Sequence, residues 1–251
     1  MSYAVRLRVM DPTLPPQGRC GNASCCAGGK VSRHSIDHAF CCPKNKRIRT
    51  YTHDAARDAI VNFTQQAMRQ RGAGRIKVKK EPFCTDDLKL KRKVGAPEPT
   101  TEHRADVGIT IIGTDGRVER LAVDLTGTHP GVGDTPGAID LPGPAPAAGT
   151  YADKKAASKT KHYADNYVNT SSVVVPLAWE TAGRYDSGAT AVLARITRIV
   201  LSSFDPNDGR VPSYSSLRRQ LAEQLSVAVQ RGNARLMRQY VGGSSRMDVA
   251  G

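Results

Sequence analysis

Two runs rich in Val, Ile and Leu, residues 105–112 (ADVGITII) and 120–126 (RLAVDLT), flank a T-D-G-R segment. Asp-Gly between such runs is the strongest short hairpin signal, because those two residues accept the turn that joins twisted antiparallel strands. The pattern predicts a hairpin that sets Asp106 and Asp124 side by side at one end of the sheet. Upstream, Ala56, Ile60, Phe63 and Ala67 recur at helical spacing. This predicts a helix over about residues 52–70, with Thr52 or Asp54 as its N-cap and the glycines at 72 and 74 as its end. I-K-V-K-K from Ile76 alternates as a short strand and stops at Pro82. Residues 85–101, charged and containing prolines, read as an irregular loop. V-V-V-P-L-A-W-E from Val173 predicts a further strand. Two helices follow, one over 189–204 and one capped by Ser215 or Ser216 and running to about residue 234. Leu217, Leu221, Leu225, Ala228 and Val229 form the apolar face of the latter. The sum is an α/β fold, a mixed central β-sheet flanked by helices.

The intervals between these elements suggest the organisation. A first segment, 1–46, is set apart by its cysteines, a domain spans 47–240, and 241–251 reads as a frayed tail. Within the domain, 127–150 (GTHPGVGDTPGAIDLPGPAPAAGT) is too rich in Gly and Pro, and too long, for an ordinary connection. It is expected to cross the surface as a flap, with His129 solvated in it. Glu180, at the end of the last strand, is expected to face solvent.

Charge narrows the class of partner. The 251 residues carry a net charge of +14, with basic clusters at 44–49, 69–80, 89–93, 154–161 and 218–238. An excess of this size favours a polyanion, DNA foremost and RNA after it, through neutralised phosphates and released counterions. No stretch approaches the ~18 apolar residues of a membrane span. Charges interrupt the first ten residues where a secretory leader needs an apolar core. An intracellular, nuclear protein is expected.

Five of the six cysteines fall between Cys20 and Cys42, a clustering unlike a secreted disulfide framework. Cys20, then Cys25 or Cys26, His38 and Cys42 lie at the spacing of a structural Zn²⁺ site, in which a tetrahedral metal closes a segment too small to bury a core. Cys41 can replace Cys42, and His34 is a spare candidate. Cys84, alone, reads as a small buried residue.

An aspartate in a strand that otherwise calls for burial is a local contradiction, and contradictions of that kind mark function. Two of them in paired strands, followed by A-D-K-K-A-A-S-K-T-K-H-Y, are the parts of a divalent-metal site acting on phosphate. Mg²⁺ held by one or two carboxylates keeps several waters and takes a phosphate oxygen as a further ligand. Asp106 and Asp124 are the expected ligands, with the Leu125 carbonyl beside them and Glu81 as a possible supporting carboxylate. A lysine from the following helix would orient the attacking water or stabilise developing charge.

In order along the chain stand C…C…H-A-x-x-C, H-D-A-A-R-D, R-A-D, V-D-L-T and K-T-K-H-Y. The series resembles the restriction-like PD-(D/E)XK endonuclease of site-specific non-LTR retrotransposon proteins, over nearly the whole chain. The resemblance implies a Mg²⁺-dependent endonuclease that nicks target DNA, with a zinc knuckle assisting DNA binding. Arg104-Ala105-Asp106 stands where the family has Arg/Lys-Pro-Asp. Asp124-Leu125-Thr126 stands at (D/E)-X-K, with Thr126 in the lysine's place. Related elements carry that lysine on the next helix, which makes Lys159 the first choice and Lys161 the second. Arg47, Arg49, Arg57, Arg104 and Tyr163 are the residues expected at the DNA. Two other readings stay open: a catalytically inactive, zinc-containing nucleic-acid-binding remnant of such an element, and a structural protein whose basic surface is incidental.

Overall fold

The computed structural model describes Phe40 and residues 46–69, 76–96, 103–112, 116–129, 149–168, 172–202, 204 and 211–245. The elements in chain order are α1 (Lys46–Arg69), β1 (Ile76–Lys80), β2 (Lys91–Arg92), β3 (Val107–Ile112) and β4 (Val118–Thr128), then α2 (Thr150–Asn166), β5 (Tyr167–Val168), β6 (Ser172–Glu180), α3 (Ala189–Leu201) and α4 (Tyr214–Ser245). Four strands form one sheet in the order β1-β3-β4-β6, and β2 pairs β5 in a separate two-stranded ribbon. The β1–β3 and β3–β4 pairs are antiparallel and β4–β6 is parallel, with α2 in the crossover. This is the expected mixed sheet flanked by helices.

Side-chain alternation along β4 divides the molecule into two layers. Leu121, Val123 and Leu125 point to one face, where they join Ile60 and Phe63 of α1, Ile196 of α3 and Leu221 and Leu225 of α4 in the main core. Ala122 points to the other face, where a smaller cluster holds Cys84, Leu88, Leu90, Tyr163 and Tyr167. Cys84 is buried there, as expected. Asp124, two residues after Ala122, shares this second face.

α2 covers that face with a narrow apolar stripe. Its buried residues are Ala152, Ala156 and Tyr163, spaced i, i+4 and i+11 as one helical face requires. Lys159, at i+7, lies in the same stripe. At the start of the helix the Tyr151 N–H is bonded by a Glu180 carboxylate oxygen at 3.1 Å. Glu180 is therefore buried, contrary to the solvent exposure expected of a strand end, because it satisfies a helix-terminal donor.

Three other expectations change. α1 starts at Lys46, ahead of the expected caps. Thr52 lies inside the helix, donates to the Ile48 carbonyl at 3.2 Å and is buried where α1 crosses α4. Its capping chemistry is overridden by that packing. α4 continues to Ser245, through the glycines at 242 and 243 expected to fray. Within the interval read as loop, β2 pairs with β5, and residues around Cys84 form a hydrogen-bonded turn.

Candidate active site

The hairpin register decides which acids meet. Val107 pairs with Val123 and Gly108 with Ala122, which leaves Asp106 just ahead of β3 and Asp124 the next residue along β4. The Asp106 N–H donates to the Val123 carbonyl at 3.1 Å, one residue off the ladder register, and ties Asp106 to the end of the hairpin. Both aspartates thus stand together at one end of the sheet, as the hairpin pattern predicts.

Each carboxylate has its own ties. Asp106 Oδ2 accepts the Leu125 N–H at 2.5 Å, and Oδ1 lies 3.2 Å from His53 Nε2, delivered by α1. Asp124, 5 % exposed, has Lys159 Nζ 3.1 Å from Oδ1 and 2.9 Å from Oδ2. The Tyr163 hydroxyl also hydrogen-bonds Asp124. Burial and the neighbouring carboxylate push that hydroxyl's pKa up, so it stays protonated as a donor.

The two acids differ in charge state for physical reasons. Burial pushes the Asp124 carboxyl up to about 6 against the pull of Lys159, and the adjacent Asp106 adds to the rise. Burial would raise Asp106 as well. The His53 bond and charge, the Leu125 N–H and a hydrogen bond with Asp124 outweigh it, and Asp106 falls below the ordinary carboxylate range. Burial lowers His53 in its turn, but Asp106 and then Asp54 prevail and its pKa is raised. The result is an ionised Asp106 against a poised Asp124. Two acids whose environments drive them apart are the mark of a working site.

Other predicted residues separate from this centre. Lys161 is exposed and, two positions on, lies about 200° round α2 from Lys159, so it is not brought to the acids. Arg57, expected at DNA, is 12 % exposed and is held among Asp54, Asp58 and Glu81. Its charge is matched inside the protein. Tyr163, by contrast, stays at the centre, buried against the Asp124 carboxylate. Arg104 keeps an exposed guanidinium 4.0 Å from the Phe83 ring centroid, with Glu81 at 3.8 Å. Arg47 is exposed on α1, and half-buried Arg49 donates to the Phe40 carbonyl at 3.3 Å. Glu81 sits beside the centre through its N–H, which donates to the Asp106 carbonyl at 3.0 Å, while its carboxylate faces the two arginines. His129 is buried, not solvated: it lies 2.7 Å from the Thr181 hydroxyl and stacks on Phe40. Cys20, Cys25, Cys26, His34, His38, Cys41 and Cys42 all lie outside the described residues, as do residues 130–148 of the long loop.

His53 is the site residue that sequence reasoning missed. Its signal was the H-D-A-A-R-D segment, but only the packing of α1 against the sheet brings its ring to Asp106. Among the described residues no three His, Cys, Asp or Glu side chains are grouped to hold a metal alone. Two oxygen acids are by their chemistry donors suited to a hard cation that completes its shell with water and substrate oxygens. They do not fit a closed nitrogen-sulfur site. No protein-family model, curated protein or solved structure matches the chain, and its own geometry carries the functional argument.

Proposed function

We propose that the chain is a Mg²⁺-dependent DNA endonuclease that hydrolyses a phosphodiester bond at the Asp106–Asp124 pair. The observation that carries this reading is the meeting of two carboxylates at one end of the hairpin with the Lys159 ammonium from the crossover helix, 2.9 Å from Asp124. The chain's charge of +14 supports a polyanionic substrate. The motif order supports a nuclease core resembling that of non-LTR retrotransposon proteins, with target-DNA nicking as its task and a zinc-bearing segment ahead of it.

In this mechanism Asp106 and Asp124 would hold Mg²⁺. When bound, the ion supplies charge neutralisation at the phosphate and a water more acidic than bulk water. Asp106 is kept ionised and fixed in direction by the Leu125 N–H and His53. Lys159 Nζ, released from Asp124, lies close enough to orient the attacking water or to meet negative charge developing on phosphate. The Thr126 departure from D-x-K is answered by this lysine, which reaches the acid from α2 instead of from β4. Tyr163 holds Asp124 in place from below.

Plasmid nicking tests the reading. With Mg²⁺, Asp124→Ala should abolish nicking and leave DNA binding largely intact. Binding without nicking in the parent would instead select a catalytically inactive nucleic-acid-binding remnant, and absence of salt-dependent DNA binding would defeat both.

A further inference from the structure

A cleft of about 340 Å³ opens beside His53 and the end of β4, inside the size range of small-ligand sites; neither aspartate lines it, and His53 stands between it and Asp106. It lies outside the carboxyl ends of the parallel strands β4 and β6, where open α/β sheets bind their ligands. Two of its walls are shared with the site already described. His53, whose Nε2 faces Asp106, lines it from α1, and Thr126, two residues beyond Asp124, lines it from β4. Flat groups form its interior: the His129 ring stacked on Phe40 with 9° between planes, and the Trp179 indole. Thr128 and Asn233 add hydroxyl and amide groups, and Lys46 stands on the lining from the first turn of α1. Planar apolar surfaces, a few polar groups and a cation, one side chain away from an acid that would hold a phosphate-bound metal, describe a place for a nucleotide.

We propose that this cleft receives one nucleobase of the cleaved strand, turned out of its stack, with the neighbouring phosphate at Asp106 and Asp124. The inference rests on the nuclease reading and deepens it. A base already unpaired enters without the cost of unstacking, so single-stranded or mismatched DNA is preferred to a perfect duplex of the same sequence. Gly127 fits this use of the cleft: a Cβ there would lie 3.1 Å from the Trp179 indole and crowd its wall.

Trp179 is the single tryptophan of the chain, so its emission reports the cleft directly. The test uses the full chain carrying Asp124→Asn, without metal, which cannot cleave and has lost one of the two charges that repel phosphate. Labelled single strand, the matching duplex and a free deoxynucleoside monophosphate are titrated, reading strand anisotropy and Trp179 emission together. Expected are an emission change that tracks strand binding, and a loss of about tenfold in strand affinity, near 1.4 kcal/mol, when Thr128→Phe fills the cleft. Duplex affinity should change less. Strand binding with unmoved emission, and with Thr128→Phe equal to its parent, overturns the cleft proposal and leaves the nuclease reading standing. No binding of strand or duplex overturns both. An emission change with the free monophosphate alone assigns the cleft to a free nucleotide and overturns its use by a strand. Photocrosslinking of an iododeoxyuridine strand to the variant-free chain decides the matter even if Thr128→Phe fails to fold: adducts should map to Phe40, His129 or Trp179, and adducts only elsewhere overturn the proposal.

Discussion

Asp124→Asn should make the metal-free protein more stable at neutral pH, although it removes a proposed catalytic group. In the unfolded chain the Asp124 carboxyl titrates at its ordinary 3.8, and in the folded protein burial raises it to about 6. Between those values the unfolded state has released its proton while the native state still holds it. The contribution of Asp124 to stability therefore falls as pH rises through the window and is constant on either side. A rise of roughly two units at 1.36 kcal/mol each amounts to about 3 kcal/mol, a large share of the ~5–15 kcal/mol that holds a domain together. Asparagine is a permanent analogue of the protonated acid: it carries no charge and can donate to Asp106 as the protonated carboxyl does. Urea unfolding of parent and variant in EDTA at several pH values measures the effect. The two should be nearly equal near pH 4, and the variant more stable by up to about 3 kcal/mol at pH 7. Adding Mg²⁺ should stabilise the parent alone, through linkage to binding. A parent more stable than the variant at pH 7 without metal, or a difference that ignores pH, would refute the account of Asp124 as a buried and unfavourable charge.

The remaining predictions concern the other members of the site. Lys159→Ala should lower the nicking rate about a hundredfold or more, Lys161→Ala should leave it near the parent's, and Thr126→Lys in the Lys159→Ala background should restore part of it, because position 126 follows Asp124 on the same face of β4. Nicking at sub-saturating Mg²⁺ should rise with pH as the proton leaves Asp124, and excess Mg²⁺, which competes with that proton, should move the acid limb to lower pH, a profile read from initial rates. His53→Ala removes a bond and a charge that lower Asp106, so the Asp106 carboxyl should titrate at higher pH in the metal-free protein, read from its carboxyl carbon resonance. Gly232→Ala would place a Cβ 2.0–2.6 Å from Thr52 side-chain atoms. It should destabilise the fold by about 1–3 kcal/mol by thermal melting, and reduce nicking as α1 shifts with His53.

What could be read in the sequence was local. The hairpin was legible because two runs with a period of two flank an Asp-Gly pair, which is enough to place Asp106 and Asp124 at the same end of adjacent strands. Lys159 was legible only through the resemblance, which implies a lysine on the helix after the hairpin; that it shares one stripe with Ala152, Ala156 and Tyr163 is a finding of the structure. The residues misread are those whose role depends on a distant partner. Thr52 looked like a cap and is a helix-crossing contact with Gly232. Glu180 and His129 looked like strand-end and loop residues, yet one closes the start of α2 and the other packs on Phe40 and Thr181. Arg57 looked like a DNA contact and is matched by three acids. Apart from Asp54 and Asp58 beside Arg57, nothing within ten residues of these positions announces their partners.

That division bears on how the site works. The carboxylates come from adjacent strands, where backbone pairing fixes their relation, and Asp106 is bound by the Leu125 N–H of the strand beside it. The groups that set their charge come from helices on opposite layers, His53 from α1 and Lys159 from α2. An amine on β4 itself, as in D-x-K, would be held by the same pairing as the acid. An amine on α2 depends instead on how that helix lies on the sheet, and only small side chains, Ala152 and Ala156 against Ala178, hold it there on one side. Catalytic alignment in this chain is thus tied to the seating of α2, and Ala156→Leu, which would lift the helix, should lower nicking more than it lowers DNA binding.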